Sequence, residues 1–237
     1  MIRLGITGTD TGVGKTLVAC ALAAGLTRRG LRITAMKPIE TGVTANDPLR
    51  DGARLARAAQ EMRPLSVIAP LTLPDPLAPL AAARRAGLAI DLAALDLAVH
   101  SAADGCDALI VEGAGGLLVP ITDTVSFDSL FVRWSLDVII VAANRLGTIN
   151  HIRLTCAAAR RVGLTIRAIV LSSTSAEAPD GSVEDNAQLI AELEQVRVIE
   201  LPHVSRPDEL DAIVAIAEER GLIELFVAER ARHTTLV

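Results

Sequence analysis

A doubly wound α/β fold around a mostly parallel sheet is predicted by two observations. Short apolar runs alternate with longer helical patterns along the chain, and a glycine-rich turn joins the first run to the first helix. The runs expected as strands cover 3–7, 32–37, 108–112, 138–142, 166–171 and 196–201. "ALIV" at 108–111 and "VIIVAA" at 138–143 are apolar at every position, as strands covered by helices on both faces should be. Helical patterns lie between them over 16–29 (stopped by Gly30), 51–60, 91–102, 127–134, 151–161 and 183–193, with 207–220 and 222–232 at the end. The Pro-rich segment 63–79 carries too many apolar side chains for a free linker and reads as an ordered excursion near the site. Residues 172–182 read as a surface loop of the kind that carries mobility.

A chain of 237 residues suits a single domain over 1–237, and 51% hydrophobic content supplies its core. With 2% aromatic residues and no Tyr, that core must be built from Ala, Leu, Val and Ile. The net charge of −5 gives no electrostatic case for nucleic acid. Cys20, Cys106 and Cys156 have no CxxC spacing and read as reduced, mostly buried thiols. "MIRLGIT" runs straight into the loop with no basic or apolar leader pattern, and no stretch approaches the ~18 unbroken apolar residues of a bilayer span. A soluble, cytoplasmic protein with no membrane partner is expected.

The turn lies in "GITGTDTGVGKT", residues 5–16, and departs from the G-x-x-x-x-G-K-[ST] spacing because Thr9 stands where the first glycine belongs and Gly8 precedes it. Its strand–loop–helix context nevertheless makes it a nucleotide site. Backbone N–H groups of the turn and helix start would meet phosphate oxygens, Lys15 the β/γ-phosphates, and the Thr16 hydroxyl Mg²⁺. Partitioning ATPases place a signature lysine five residues before the second one. That position is Asp10, which argues against such a switch.

Further polar groups fall at the same carboxyl edge, where ligands of such sheets sit. Lys37 in "MKPIETG" lies at a solvated strand edge, where it would pair with Lys15 against phosphoryl charge, and Thr41 would meet a polar substrate group. "DALIVEGAGG" ends a strand in Glu112, a candidate Mg²⁺ carboxylate, and Gly113, Gly115 and Gly116 would let backbone approach a ligand. Asp51 opens a helix and is a second candidate carboxylate. In "RLGTINH", Asn150 is expected to cap a helix, leaving N–H groups of residues 147–150 for an anion. His100, His151 and His233 are read as structural.

In this order "GTDTGVGKT", "KPIETG", "VEGAGG", "PITDT", "LGTINH" and "LPHV" resemble the dethiobiotin synthetase family, and they span nearly the whole chain. The resemblance implies a single P-loop domain with about seven strands, acting as a homodimer. Its reaction would join diaminopelargonate and CO₂ at the expense of ATP. Carried over, Lys37 and Lys15 are catalytic, and Thr16, Asp51 and Glu112 hold Mg²⁺. Gly12, Val13, Gly14, Lys15, Thr16, Leu17, Asp51, Glu112, Gly113, Ala114 and Gly115 bind the nucleoside triphosphate, with Ser172, Ser173, Leu201, Pro202 and His203 on the base side. Thr11, Lys37 and Thr41 meet the diamine, whose distant carboxylate goes to Gly147, Thr148, Ile149 and Asn150 of the neighbouring subunit. Two positions depart from the family: Ser172 replaces an Asn at a strand end, and Leu80 replaces a His after the last Pro. The stretch 222–237 extends past the motifs. The rivals are a partitioning or regulatory ATPase switch and another amidoligase-type P-loop enzyme.

Overall fold

The computed structural model describes residues 1–44, 47–173, 175 and 181–227. Its main sheet has six strands: β1 (Ile2–Gly8), β2 (Ile33–Met36), β5 (Ala108–Gly116), β6 (Asp137–Ala143), β7 (Ile166–Ser172) and β8 (Val198–Leu201). They run in the order β2-β5-β1-β6-β7-β8 and every adjacent pairing is parallel. All six expected strands are there. A separate parallel pair, β3 (Ile39–Thr41) with β4 (Leu71–Leu73), is what the apolar pattern did not reveal.

Alternate residues of each strand feed opposite cores. Leu4, Ile6, Ile110, Ile139, Val141 and Val170 face α1 (Lys15–Arg28), α2 (Asp51–Ala58) and α9 (Leu210–Glu219). Leu109, Val111 and Val138 face α3 (Leu65–Ile68), α5 (Leu92–Ala102) and α6 (Phe127–Arg133), where Phe127, Phe131 and Trp134 gather. Ile140, Ile169 and Leu171 meet α7 (Thr148–Arg161) and α8 (Asn186–Glu194). Both faces are covered, so the strands read as unbroken apolar runs.

The segment 63–79 is ordered as expected, supplying α3, β4 and the start of α4 (Pro79–Arg85). Several boundaries need correcting, among them the start of α9 at Leu210 rather than at 207. β5 continues through the glycines to Gly116, with a register shift where Ile6 pairs Glu112 and Gly8 pairs Gly116. The 183–193 pattern is a short 3₁₀ turn at Gly181–Val183 followed by α8. α7 begins three residues before the expected start, at Thr148.

Cys20 and Cys156 are buried and Cys106 half-buried, all as free thiols, and burial pushes the first two up to about 12. Leu222, Ile223 and Phe226 join the core beside α1, and residues 224–227 are helical. The rest of the expected 222–232 helix, His233 and most of the 172–182 loop lie outside the described residues. No helix among the described residues is long and apolar enough to cross a membrane.

Candidate active site

The glycine-rich turn spans the gap between β1 and α1, and its displaced glycine has a steric reason. A Cβ on Gly8 would lie 2.8 Å from the Asp10 carbonyl oxygen and 3.1 Å from Lys15 Nζ, because the loop folds back over this position. Thr9 sits just past the crowded point, and its N–H donates to the Val141 carbonyl at 2.9 Å, tying the loop to β6. Gly14 precedes α1 at φ 98°, a left-handed conformation that favours glycine, and a Cβ there would meet Ser172 Oγ at 2.9 Å. Val13 is buried and anchors the turn in the core. The first N–H groups of α1 are thereby presented at a helix N-terminus, where anions bind. Lys15 is buried, and its Nζ donates to the Asp10 carbonyl at 2.8 Å. Burial holds its pKa below the usual lysine value, and the Lys37 charge adds to that, against Glu112, Asp51 and Asp10.

Lys37 corrects the expectation of a solvated strand edge, for its side chain is only 8% exposed. Its Nζ donates to Glu112 Oε1 at 2.8 Å and to the Asp51 carboxylate. Thr16 Oγ1 donates to the same Glu112 oxygen at 2.8 Å. Burial alone would lower the Lys37 pKa; Glu112 and Asp51 outweigh it and hold the ammonium above the ordinary lysine range. Burial likewise acts to raise Asp51, and Lys37 overcomes it, so the carboxyl sits below the usual aspartate value. Glu112 Oε2 is buried with no hydrogen-bond partner. An orphaned carboxylate oxygen beside a hydroxyl and a second carboxylate is a set of hard oxygen donors, which fits Mg²⁺. Among the described residues no three His, Cys, Asp or Glu side chains form a metal cluster, so the set rests on Thr16 as well as the two acids.

These groups line a cleft of about 910 Å³ at the carboxyl ends of the strands. Thr11, Gly12, Gly14, Lys15, Thr16 and Leu17 form a phosphate-loop wall, and Lys37, Thr41, Asp51, Glu112, Ala114 and Gly115 also line the cleft, with Thr16 and Lys37 meeting at Glu112 Oε1. Ser172, Ser173, Pro202 and His203 close the side near β7 and β8. The Leu201 carbonyl accepts the Ser173 N–H at 3.0 Å while its side chain is buried. Pro76, Leu77, Ala78 and Pro79 border the cleft, bearing out the placement of the Pro-rich segment near the site.

A Cβ on Gly113 would meet Phe131 at 3.3 Å and Phe127 at 3.4 Å, so aromatic packing also calls for a glycine there. One expectation fails. Asn150 does not cap its helix: Gly147 does, at φ 88°, with no side-chain cap, because the strand–helix connection turns left-handed there. Gly147, Thr148, Ile149 and Asn150 do not line the cleft, and the Thr148 N–H already donates to the Arg145 carbonyl at 3.1 Å. His100 and His151 stand exposed on helices.

Three cleft residues carried no signal of their own. Glu40 hides between Lys37 and Thr41, Arg50 directly precedes Asp51, and Arg54 follows on α2. Arg54 Nε meets Asp208 Oδ1 at 3.0 Å and its Nη2 donates to the Pro207 carbonyl at 3.0 Å, strapping α2 to the segment after β8. Only tertiary contact makes these residues neighbours.

A parallel sheet with a phosphate loop at its central strand, faced by lysines and carboxylates, defines a P-loop nucleotide-binding protein. Solved structures agree on that fold. The ParA family ATPase from Chlorobium tepidum superimposes with a TM-score of 0.56 at 15% identity, covering 96% of this chain and 98% of that one. The septum site-determining protein MinD from Pyrococcus horikoshii, complexed with Mg-ADP, gives 0.53 at 15% identity over 96% and 93%. A family model described as an AAA domain matches residues 3–211. By sequence the chain belongs to the ATP-dependent dethiobiotin synthetase family. It is 46% identical to ATP-dependent dethiobiotin synthetase BioD of Anaeromyxobacter dehalogenans, over 81% of this chain and 86% of the relative. The BioD of Aquifex aeolicus is 37% identical over 86% and 90%.

Proposed function

We propose that this protein closes the ureido ring of dethiobiotin from 7,8-diaminopelargonate and CO₂, with ATP as co-substrate. The observation that carries the reading is the cluster of Lys37, Asp51, Glu112 and Thr16 that lines one cleft together with Lys15. Carbamate, triphosphate and carboxylate are all anionic, and two converging lysines oppose that charge.

One substrate amine adds to CO₂ and loses a proton to give a carbamate. A carbamate oxygen attacks the γ-phosphorus and ADP leaves. The second amine then attacks the carbamoyl carbon of the mixed anhydride, closing the ring and releasing phosphate. Lys15 and Lys37 steady the phosphoryl oxygens as charge moves between them, and the α1 N-terminus holds the phosphates in line. Thr16, Asp51 and Glu112 would hold Mg²⁺, which when bound offsets triphosphate charge. Thr11 and Thr41 orient the diamine. Ser172, Ser173 and the residues after β8 meet the base.

The family resemblance assigns the substrate's distant carboxylate to residues 147–150 of a second copy, and the position of the α7 N-terminus outside its own chain's cleft agrees with that. This gives a homodimer with shared sites, working in the cytoplasm. Leu146, 80% exposed beside that helix start, supports an interface there.

Supplying diaminopelargonate, bicarbonate, Mg²⁺ and ATP should yield dethiobiotin, read by mass spectrometry. ATP hydrolysis indifferent to the diamine would favour a nucleotide switch instead. That rival shares the fold, but the 46% relative stands against it.

A further inference from the structure

Glu40 and Arg50 border the cleft, and the proposed chemistry gives neither a role. They are 1% and 4% exposed, so their charges are held out of water at a cost that calls for a reason. Glu40 follows Lys37 by three residues and Arg50 immediately precedes Asp51.

Helix α2 starts with no side-chain cap from its own N-terminal residue, so the N–H groups of its first turn need an acceptor from elsewhere. Glu40 reaches over from β3, and its Oε1 accepts the Gly52 N–H at 3.2 Å. The carboxylate thus meets the positive end of the helix dipole. Its Oε2 lies 3.6 Å from Arg50 Nε, a Coulombic pairing just beyond hydrogen-bond reach that leaves both atoms without a hydrogen bond. Arg50 is fixed in turn by donating from Nη1 to Thr72 Oγ1 on β4 at 3.0 Å. Gly52 completes the seat, since a Cβ there would stand 2.9 Å from Ala69 Cβ and 3.2 Å from Glu40 Oε2. The small β3–β4 pair therefore grips the first turn of α2, and Asp51 is the first residue of that turn.

We propose that Glu40 is a positioning residue: capping α2 from β3 and holding Arg50, it sets the Asp51 carboxylate against Lys37 and toward the metal. The inference rests on the reading of Asp51 as a working residue. It gives the separate two-stranded sheet a part in holding that carboxylate, beside the place of Thr41 in the cleft.

A double-mutant cycle of Glu40→Gln and Asp51→Asn in the full-length enzyme tests it. Two quantities are read: turnover against free Mg²⁺, and amide hydrogen exchange of the metal-free protein. Glu40→Gln should raise the Mg²⁺ needed for half-maximal turnover about tenfold, the usual scale for losing a group that orients a metal ligand. Exchange should quicken over residues 51–54 and stay unchanged in α1. Added to Asp51→Asn, Glu40→Gln should change the Mg²⁺ requirement less than about twofold, as coupled sites do. Additive effects, unchanged exchange, or a lowered unfolding temperature with unaltered Mg²⁺ dependence would overturn the role and leave only a structural ion pair. If Asp51→Asn itself leaves Mg²⁺ dependence intact, the reading of Asp51 falls and the inference with it, a result distinct from additivity. Should Glu40→Gln fail to fold, Glu40→Gln with Arg50→Gln removes both buried charges and carries the same cycle.

Discussion

From Gly8 to Leu17 the groups on the phosphate-loop wall come from one continuous stretch and are held by backbone, down to the Thr9 N–H on Val141 and the Lys15 ammonium on the Asp10 carbonyl. Beside that wall, Lys37, Asp51 and Glu112 come from three separated segments and hold one another by charge, while Glu40 is held by the Gly52 N–H and Arg50. A wall built from backbone tolerates a changed side chain such as Thr9. A wall built from charges lets each member fall only at the others' expense, which is where mutation should show the contrast.

Lys37→Ala is the severest break. Loss of a preorganised charge typically costs about 10²-fold or more in turnover. Because the lysine is buried between two acids, the variant should also lose about 3 kcal/mol of stability from the carboxylates left unpaired. Steady-state assays with denaturant melts check both, and a variant of full stability would mean the carboxylates relax into solvent. Next, Glu112→Gln keeps shape and the Thr16 contact while removing charge. The Mg²⁺ requirement should rise by roughly tenfold or more, and the buried Lys37 ammonium, left with Asp51 as its charged partner, should cost some stability as well. An unchanged titration would take Glu112 out of the metal set.

Asn150→Ala probes a third region that belongs to neither wall of its own chain. A lost hydrogen bond to a charged group is worth about 1.5–3 kcal/mol, so the diamine KM should rise roughly tenfold or more while the ATP KM holds. A fully active monomer in analytical ultracentrifugation would rule out the shared site. The smallest effect is expected at Ser172, packed against Gly14 with a single short hydroxyl. Without an amide to read adenine from two atoms, CTP or GTP should support turnover within about tenfold of ATP, and Ser172→Asn should restore preference for ATP. Strong rejection of both by the wild type would assign base reading to backbone near Leu201.

The sequence made the backbone wall legible because its information is local: strand, glycines, Lys15 and Thr16 lie in one reading frame of the fold. Lys37, Asp51 and Glu112 could be placed at the carboxyl edge from their elements and the family motifs. Their mutual burial could not, since the lysine's exposure depends on acids 14 and 75 positions away. Glu40 shows the limit most plainly. It stands within a motif already singled out, but its partner Gly52 N–H is backbone, which no pattern of side chains advertises. The β3–β4 pair was missed for a related reason, as each strand is three residues long and too short to show a period. The start of α7 was misjudged because a side-chain cap was sought where a left-handed glycine does the turning.

Gly25, in the last turn of α1, has its own bearing on how the molecule is made. A Cβ there would lie 2.1 Å from Ile223 Cδ1, so the helix behind the phosphate loop is notched to receive a residue from the far end of the described chain. β1 likewise finds its partners only in β5 and β6. During synthesis the loop's residues emerge about two hundred positions ahead of residue 223, and the groove at Gly25 stays open until that residue has followed. Contacts of such long sequence separation form late and slowly. The nucleotide loop therefore precedes by most of the chain's length the residue that braces its helix.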